Sequence, residues 1–203
     1  MTTARRPPAP PRFAPDAERR ALLAAELDNG AAVHDVRAVD ADLSGVRARG
    51  ISLRDVELVR CTLANLEART SRLVRAVVSE SRLTGLGWFE GSVQDVVFRG
   101  CRIDLASFRF SQLERVTFED CVLREADFEE VRCASVAFHG CDLTGASFAN
   151  ARFARSEFRR CTLDDLRGVE GLRGAAMEWS DILALAGAFA AALGVRLLDD
   201  DAP

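Results

Sequence analysis

Every fifth residue from Leu43 to Leu163 is apolar, 25 positions without an exception, running from Leu43, Ala48, Leu53, Leu58 and Leu63 to Phe148, Phe153, Phe158 and Leu163. At a hydrophobic content of 48%, chance would produce such a run about once in a hundred million sequences. The residue two before each centre is again small or apolar, as in Ala41, Val46, Ile51, Val56 and Cys61. The other three positions carry nearly all the charge. A period of five matches neither the 3.6 of a helix nor the 2 of a flat strand. It matches a chain that turns a corner every five residues and points two of the five inward. Four corners close a square, so one coil takes 20 residues and residues 20 apart stack. The cysteines obey that rule: Cys61, Cys101, Cys121, Cys141 and Cys161 share one column, with Ser81 at the missing step. Phe108, Phe128 and Phe148 form a second column, and Phe98, Phe118, Phe138 and Phe158 a third. The pattern dictates an all-β solenoid. It has about six coils, and at ~4.8 Å per stacked strand the prism is ~30 Å long.

The flanks read differently. Five of the six prolines lie in residues 1–15, which predicts a disordered, polyproline-like tail rich in Pro and Arg. Asp16 can cap a short helix to about Asp28, stopped by Asn29 and Gly30, with Leu22, Leu23 and Leu27 on one side. Residues 16–30 then cover one open end of the prism, whose bare strand edges would otherwise invite pairing. Repeats fill residues 31–166, and residues 167–203 close the other end. Here a helix is expected from Ser180, as N-cap, to Leu193, stopped by Gly194. It carries Ile182, Leu183, Leu185, Ala186, Phe189 and Leu193, more apolar surface than one capping contact uses. Ile182, Leu185 and Phe189 form one row, and Leu183, Ala186 and Leu193 its neighbour. One row closing the last coil and the other meeting a second copy predicts a homodimer through this helix.

Within the repeats stand Ala41-Asp42-Leu43-Ser44-Gly45, Ala126-Asp127-Phe128, Cys141-Asp142-Leu143-Thr144-Gly145 and Ala146-Ser147-Phe148. They resemble the pentapeptide-repeat family, whose loose motif is Ala-(Asp/Asn)-Leu-X-X, over residues 31–166. The resemblance implies a right-handed quadrilateral β-helix with short capping helices at both ends. The closing segment from Leu172 to Arg196 is similar to the helix by which some bacterial members dimerise. The style is that of the bacterial quinolone-resistance-type members. For those, the resemblance implies rod-shaped dimers that mimic duplex DNA, bind DNA gyrase and protect it from quinolone-like inhibitors.

Catalysis finds little footing. All 27 basic residues are Arg, and there is no Lys and no Tyr, which removes Schiff-base chemistry, a P-loop lysine and a tyrosine acid or base. His34 and His139 lie more than five coils apart, ~25 Å at the strand spacing, and share no site. No hydroxyl has a nearby His for a triad, and a regular prism has no deep cleft. The cysteines form no Cys-x-x-Cys pair, and a linear stack cannot converge four thiolates on one zinc. They read, with Cys133, as small buried hydrophobes. No enzyme, cofactor or metal is therefore expected. No run approaches the 18 apolar residues of a membrane span, and Met1-Thr2-Thr3-Ala4-Arg5-Arg6 lacks a secretory apolar segment, so the expected location is the cytoplasm.

What remains is surface charge, which the coil period sorts by face. On the face centred on Leu43 and its 20-residue equivalents, Asp42, Asp104, Glu125, Asp142, Asp164 and Asp165 stand against Arg82, Arg102 and Arg124, a balance of −3. On the opposite Leu53 face, Arg54, Arg72, Arg75, Arg115, Arg132, Arg152 and Arg155 stand against Asp55, Asp95 and Glu114, a balance of +4. The Ala48 and Leu58 faces are near neutral. A protein partner on the acidic face is the expectation, and direct nucleic-acid binding is not. Charge weighs against DNA gyrase as that partner: ~30 Å of duplex carries about 18 negative charges, whereas residues 31–166 hold 19 Arg and 21 acids. Mimicry of DNA would have to be local. Phe89 and Phe110, beside Arg69 and Arg109, add a small apolar-basic patch.

Overall fold

The computed structural model describes residues 4–13 and 22–196. Its body is a right-handed parallel β-solenoid of about seven turns. The pairing register is 20 throughout: Leu53 lies on Val33, Leu73 on Leu53 and Val93 on Leu73. The turn count exceeds the expected six because Val33 and Ala38, both buried, continue the core pattern before Leu43. At the far end Ala175–Ala176 adds a last rung to Ser156–Glu157.

Strands of eight residues, Ala32–Val39, Ser52–Val59, Arg72–Ser79, Ser92–Arg99 and Gln112–Glu119, each span the Leu53 and Leu58 faces. The other two faces are made of three-residue strands such as Arg47–Arg49 and Glu67–Arg69, and of single bridges such as Asp42 to Thr62. Corners fall every five residues, at Asp35, Asp40, Gly45, Gly50 and onward to Asp165, and every one has a φ between 50° and 75°. That is the left-handed region, which costs an ordinary L-residue roughly 1–2 kcal/mol. Twenty-one of these corners are not glycine, and they include Thr70, Leu105, Phe110 and several Arg and Glu. Stacking holds them there: at most corners the N–H donates to a carbonyl of the next coil, as from Asp40 to Val59, Thr70 to Phe89 and Leu105 to Arg124.

All 25 centre positions are buried. In the later coils they form two phenyl stacks. Phe98, Phe118, Phe138 and Phe158 lie nearly parallel with centroids 4.8 to 5.0 Å apart. Phe108, Phe128 and Phe148 do the same at 5.0 and 5.2 Å. The two stacks meet edge to face, as Phe118 does with Phe108 and Phe128 at 6.2 and 6.3 Å. The earlier coils hold Leu, Val and Trp88 instead, around an apolar void of about 20 Å³.

The ends depart from expectation. Of the helix expected over residues 16–28, residues 16–21 lie outside the described residues, and the remainder holds one 3₁₀ turn, Ala24–Glu26. Leu22 and Leu27 are buried but Leu23 is 60% exposed, because a 3₁₀ turn does not align the three side chains as an α-helix would. The single helix expected from Ser180 to Leu193 is two, α1 (Trp179–Ala184) and α2 (Ala186–Ala192). The chain breaks at Leu185 (φ −92°, ψ 3°), whose side chain is buried with the core cluster, and α2 packs on the 3₁₀ turn Val169–Leu172. Residues 4–13, read as a free tail, run without regular structure along the solenoid wall and are held there by hydrogen bonds.

Candidate functional site

The six acids of the Leu43 face share that face but do not form an unbroken stripe. Their outward row runs Asp42, Thr62, Arg82, Arg102, Val122, Asp142, Thr162, so two Arg interrupt it. Asp142 accepts from Arg124 Nε at 2.6 Å and Asp104 from Arg102 Nε at 2.9 Å. Asp142 is also held by Thr144, and despite the opposing burial its carboxyl stays below the usual range. Asp42 is held low by its hydrogen bonds from Ser44. Asp42, Glu125, Asp164 and Asp165 form no ion pair among the described residues. Asp164 and Asp165 stand in the last coil, and Glu125 two coils before it.

On the opposite face Arg54, Arg72, Arg132, Arg152 and Arg155 are exposed, with no ion pair among the described residues. Arg132 and Arg152 are adjacent rungs of one ladder. Arg75 and Arg115 behave differently. Arg75 clasps Asp55 through Nε (2.7 Å) and Nη2, and Arg115 clasps Asp95 at 2.6 and 2.9 Å. These clasps hold both carboxyls below the ordinary 3.8, with burial opposing and backbone N–H donors from Arg12 and Ala9 assisting.

The expected dimer rows separate. Leu185 is buried and Ile182 and Phe189 are half-buried, so this row faces the solenoid. Leu183 (58% exposed), Ala186 and Leu193 (80% exposed) face outward, beside Trp179 at 73%.

The thiol column is buried except for its last member, Cys161, which is half-buried, and all six cysteines are free. Each thiol donates to a carbonyl of the previous coil, Cys101 to Val78 at 3.3 Å, Cys121 to Phe98 at 3.5 Å and Cys141 to Phe118 at 3.4 Å. The inward serines serve the same corner: Ser71, Ser81, Ser111 and Ser156 each accept a backbone N–H from the coil before. These side chains therefore satisfy buried backbone groups, a role that their size alone did not reveal. Burial pushes the Cys133 thiol up, and the Cys121 thiol together with burial does the same to Cys101, so neither is poised as a thiolate. His34 pairs with Asp35 and His139 with Glu157, far apart. Among the described residues no cluster of three or more His, Cys, Asp or Glu could hold a metal. Arg69 lies over Phe89 at 4.8 Å and Arg109 over Phe110 at 5.3 Å.

Sequence reasoning missed the Asp55–Arg75 and Asp95–Arg115 clasps. Sorting charge by corner instead of by face would have shown Asp55, Arg75, Asp95 and Arg115 as one alternating column.

A square solenoid with a sealed, mostly apolar interior and its charged side chains in outward rows and at the corners belongs to the class of repeat proteins that act through their surface. The sequence pattern of the pentapeptide repeat region matches residues 51–128 and 111–167, together more than half of the chain, and the chain belongs to the pentapeptide-repeat family. A comparison with curated proteins finds no match. Among solved structures the chain is similar to full-length QnrB1, described as a plasmid-mediated fluoroquinolone resistance protein (17% identity, 83% of this chain and 94% of that one, TM-score 0.32). It is also similar to HetL of Nostoc sp. strain PCC 7120, involved in regulating heterocyst differentiation (16% identity, 73% and 84%, TM-score 0.32). A third is Rfr23 of Cyanothece 51142 (12% identity, 74% and 86%, TM-score 0.27). No helix among the described residues is long and apolar enough to cross a membrane.

Proposed function

We propose that the protein is a non-enzymatic interaction scaffold that works in the cytoplasm, binds a protein partner on its Leu43 face and pairs with a second copy through its C-terminal helices. The family is generally made of non-enzymatic interaction proteins. The observation that supports the reading is that Asp164 and Asp165, unpaired among the described residues, lie in the last coil, just before the 3₁₀ turn Val169–Leu172 on which α2 packs, and that the C-terminal helices expose an apolar row. In a two-fold dimer built on Leu183, Ala186 and Leu193 both acidic ends approach the symmetry axis, making one composite surface from two chains. Leu183→Glu combined with Leu193→Glu should lower the mass in light scattering from twice the 22.1 kDa chain mass to that mass, with the β signal intact. A wild-type chain already at 22.1 kDa at micromolar concentration would sink the dimer. Phe189→Glu and Leu185→Glu would instead strike the row that faces the solenoid.

A second reading makes the partner DNA gyrase or a related topoisomerase, with protection from quinolone-like inhibitors by DNA mimicry. The same composite acidic surface favours it, since a dimer doubles the rod of about seven turns to roughly 67 Å plus the helices at the strand spacing. Gyrase supercoiling with and without the purified protein, and quinolone susceptibility on expression, test it. Unchanged supercoiling at a saturating excess leaves the scaffold reading and removes this one.

A further inference from the structure

The four corner columns are not equally open. Three are mostly exposed along their length, while the fourth, Asp35, Asp55, Arg75, Asp95, Arg115 and Ser135, has no exposed residue before Arg155. Asp55 and Asp95 are each 6% exposed and Ser135 is 2% exposed. The adjoining outward row of the Leu58 face is covered too: Thr117 and Ala137 are buried, and Val77 and Val97 half-buried. Both rows border the path of residues 4–13. The Ala9 N–H donates to Asp95 Oδ1 at 3.0 Å and the Arg12 N–H to Asp55 Oδ1 at 2.8 Å. The Arg5 guanidinium bridges Thr117 Oγ1 and Glu157, each at 3.3 Å, and Arg37 covers the Phe13 ring at 4.2 Å.

The two periods match. A polyproline II helix rises ~3.1 Å per residue with three residues per turn, so like-facing N–H groups recur every ~9.3 Å. Two coils span ~9.6 Å. Ala9 and Arg12 are three residues apart, and Asp95 and Asp55 are two coils apart. Pro7, Pro8, Pro10 and Pro11 fill the intervening positions, where no N–H is used and φ is already fixed near the polyproline value. The next step back reaches Arg6, which has an N–H, at the level of the buried Ser135. Arg75 and Arg115 hold both oxygens of each carboxylate with their forks, and Oδ1 of each accepts the peptide N–H as well as the Arg Nε. The track is acidic at Asp55, Asp95 and Glu157 and apolar at Val77 and Val97, and the segment on it bears Arg5 and Arg12.

We propose that this track is a binding site for polyproline II peptides of other chains, selective for segments with an N–H at every third residue and arginine at the flanks, and that residues 5–13 are its built-in competitor. The site lies at the corner between the Leu53 and Leu58 faces, shares no residue with the acidic face, and stands or falls independently of the reading above. A displaced segment exposes the Asp55–Asp95 column and the Val77–Ala137 row to a partner of the same chemistry.

The full-length chain carrying Ala9→Pro and Phe13→Ala removes one N–H donor and the ring under Arg37 without disturbing the coils. Trypsin should cut it after Arg12 about tenfold faster than the wild type, since cleavage follows the population of the released segment. A fluorescent peptide of residues 4–13 should then bind this variant in anisotropy and not the occupied wild type at the same concentration. The same peptide with Pro in place of Ala9 should bind about fivefold more weakly, the effect of one lost hydrogen bond. Adding Asp95→Asn to the variant should weaken the parent peptide in the same way. Equal cleavage of the two proteins overturns the proposal. So does equal binding by a scrambled peptide of identical composition, which would reduce the contact to unspecific charge attraction.

Discussion

Phe118 is the residue whose removal should cost most. It is fully buried, lies between the rings of Phe98 and Phe138 at 4.9 and 5.0 Å, and meets Phe108 and Phe128 edge to face. Phe118→Ala leaves a phenyl-sized cavity between two coils that cannot collapse, because their backbones are locked in register by the neighbouring ladders. Such changes cost about 3–5 kcal/mol, and the four lost ring pairs, at about 0.5–1.5 kcal/mol each, place this site at the upper end. The location of the loss matters as much as its size. In a solenoid each coil is stabilised by its neighbours, so weakening two adjacent interfaces uncouples the coils before Phe98 from those after Phe138. Urea unfolding followed by far-ultraviolet circular dichroism should therefore move to lower denaturant and broaden or split. Phe118→Asp, which places an uncompensated charge between the stacks, should not yield a cooperatively folded protein at all. Phe110→Ala is the internal control: the same side chain, 47% exposed, should shift stability by no more than about 0.5 kcal/mol. A Phe118→Ala protein with a midpoint and slope close to the wild type would refute the stacked-core reasoning.

Leu105→Gly should stabilise by about 0.5–1 kcal/mol, because Leu105 is 58% exposed at φ 56° in a column that already accepts Gly85 and Gly145; a clear loss in urea would mean that the corner is not strained. Asp181 is buried with Oδ2 unpaired among the described residues, and burial together with Glu178 raises its carboxyl above the ordinary 3.8. A carboxyl raised in the folded state destabilises only once it ionises, so the wild type should lose stability as pH climbs through and beyond 3.8, and Asp181→Asn should lose less; thermal melts at successive pH values decide it. Excess reductant and chelator should leave the β signal unchanged, since all six cysteines pack as thiols, and a large loss would show a bridge or metal.

The core was legible because its signal is dense. Every coil repeats the demand for two inward side chains, and no polar residue interrupts the centre positions, so periodicity alone located all 25. The corners were legible in position but not in conformation: Thr70, Leu105 and Phe110 have no preference for positive φ, and only the stacking of neighbours places them there. The break at Leu185 was not legible because Gly187, two residues on, sits inside α2 and does not mark it; Leu185 itself is buried with the core. The proline-rich segment was the largest omission. Composition describes such a stretch as having no core to bury, and the spacing of its three N–H groups becomes meaningful only beside a wall that repeats at a matching interval. On the Leu43 face, the pairing of Asp104 with Arg102 and of Asp142 with Arg124 depends on rotamers that spacing does not specify.

The register of 20 and the corner every five residues give this chain two units of growth with different results. Insertion of one pentad keeps every inward residue inward, so the core survives. Each row beyond the insertion, however, is carried to the next side, and the distal chemistry rotates by a quarter turn against the proximal. Insertion of twenty residues leaves the phase alone and only lengthens the rod. Lineages of such chains can thus reshuffle what faces outward by gains and losses of five, and adjust reach by gains and losses of twenty. The strap on the Asp55–Asp95 column restricts this freedom, because a lone pentad inserted between those two residues would turn one of its anchors to a different side.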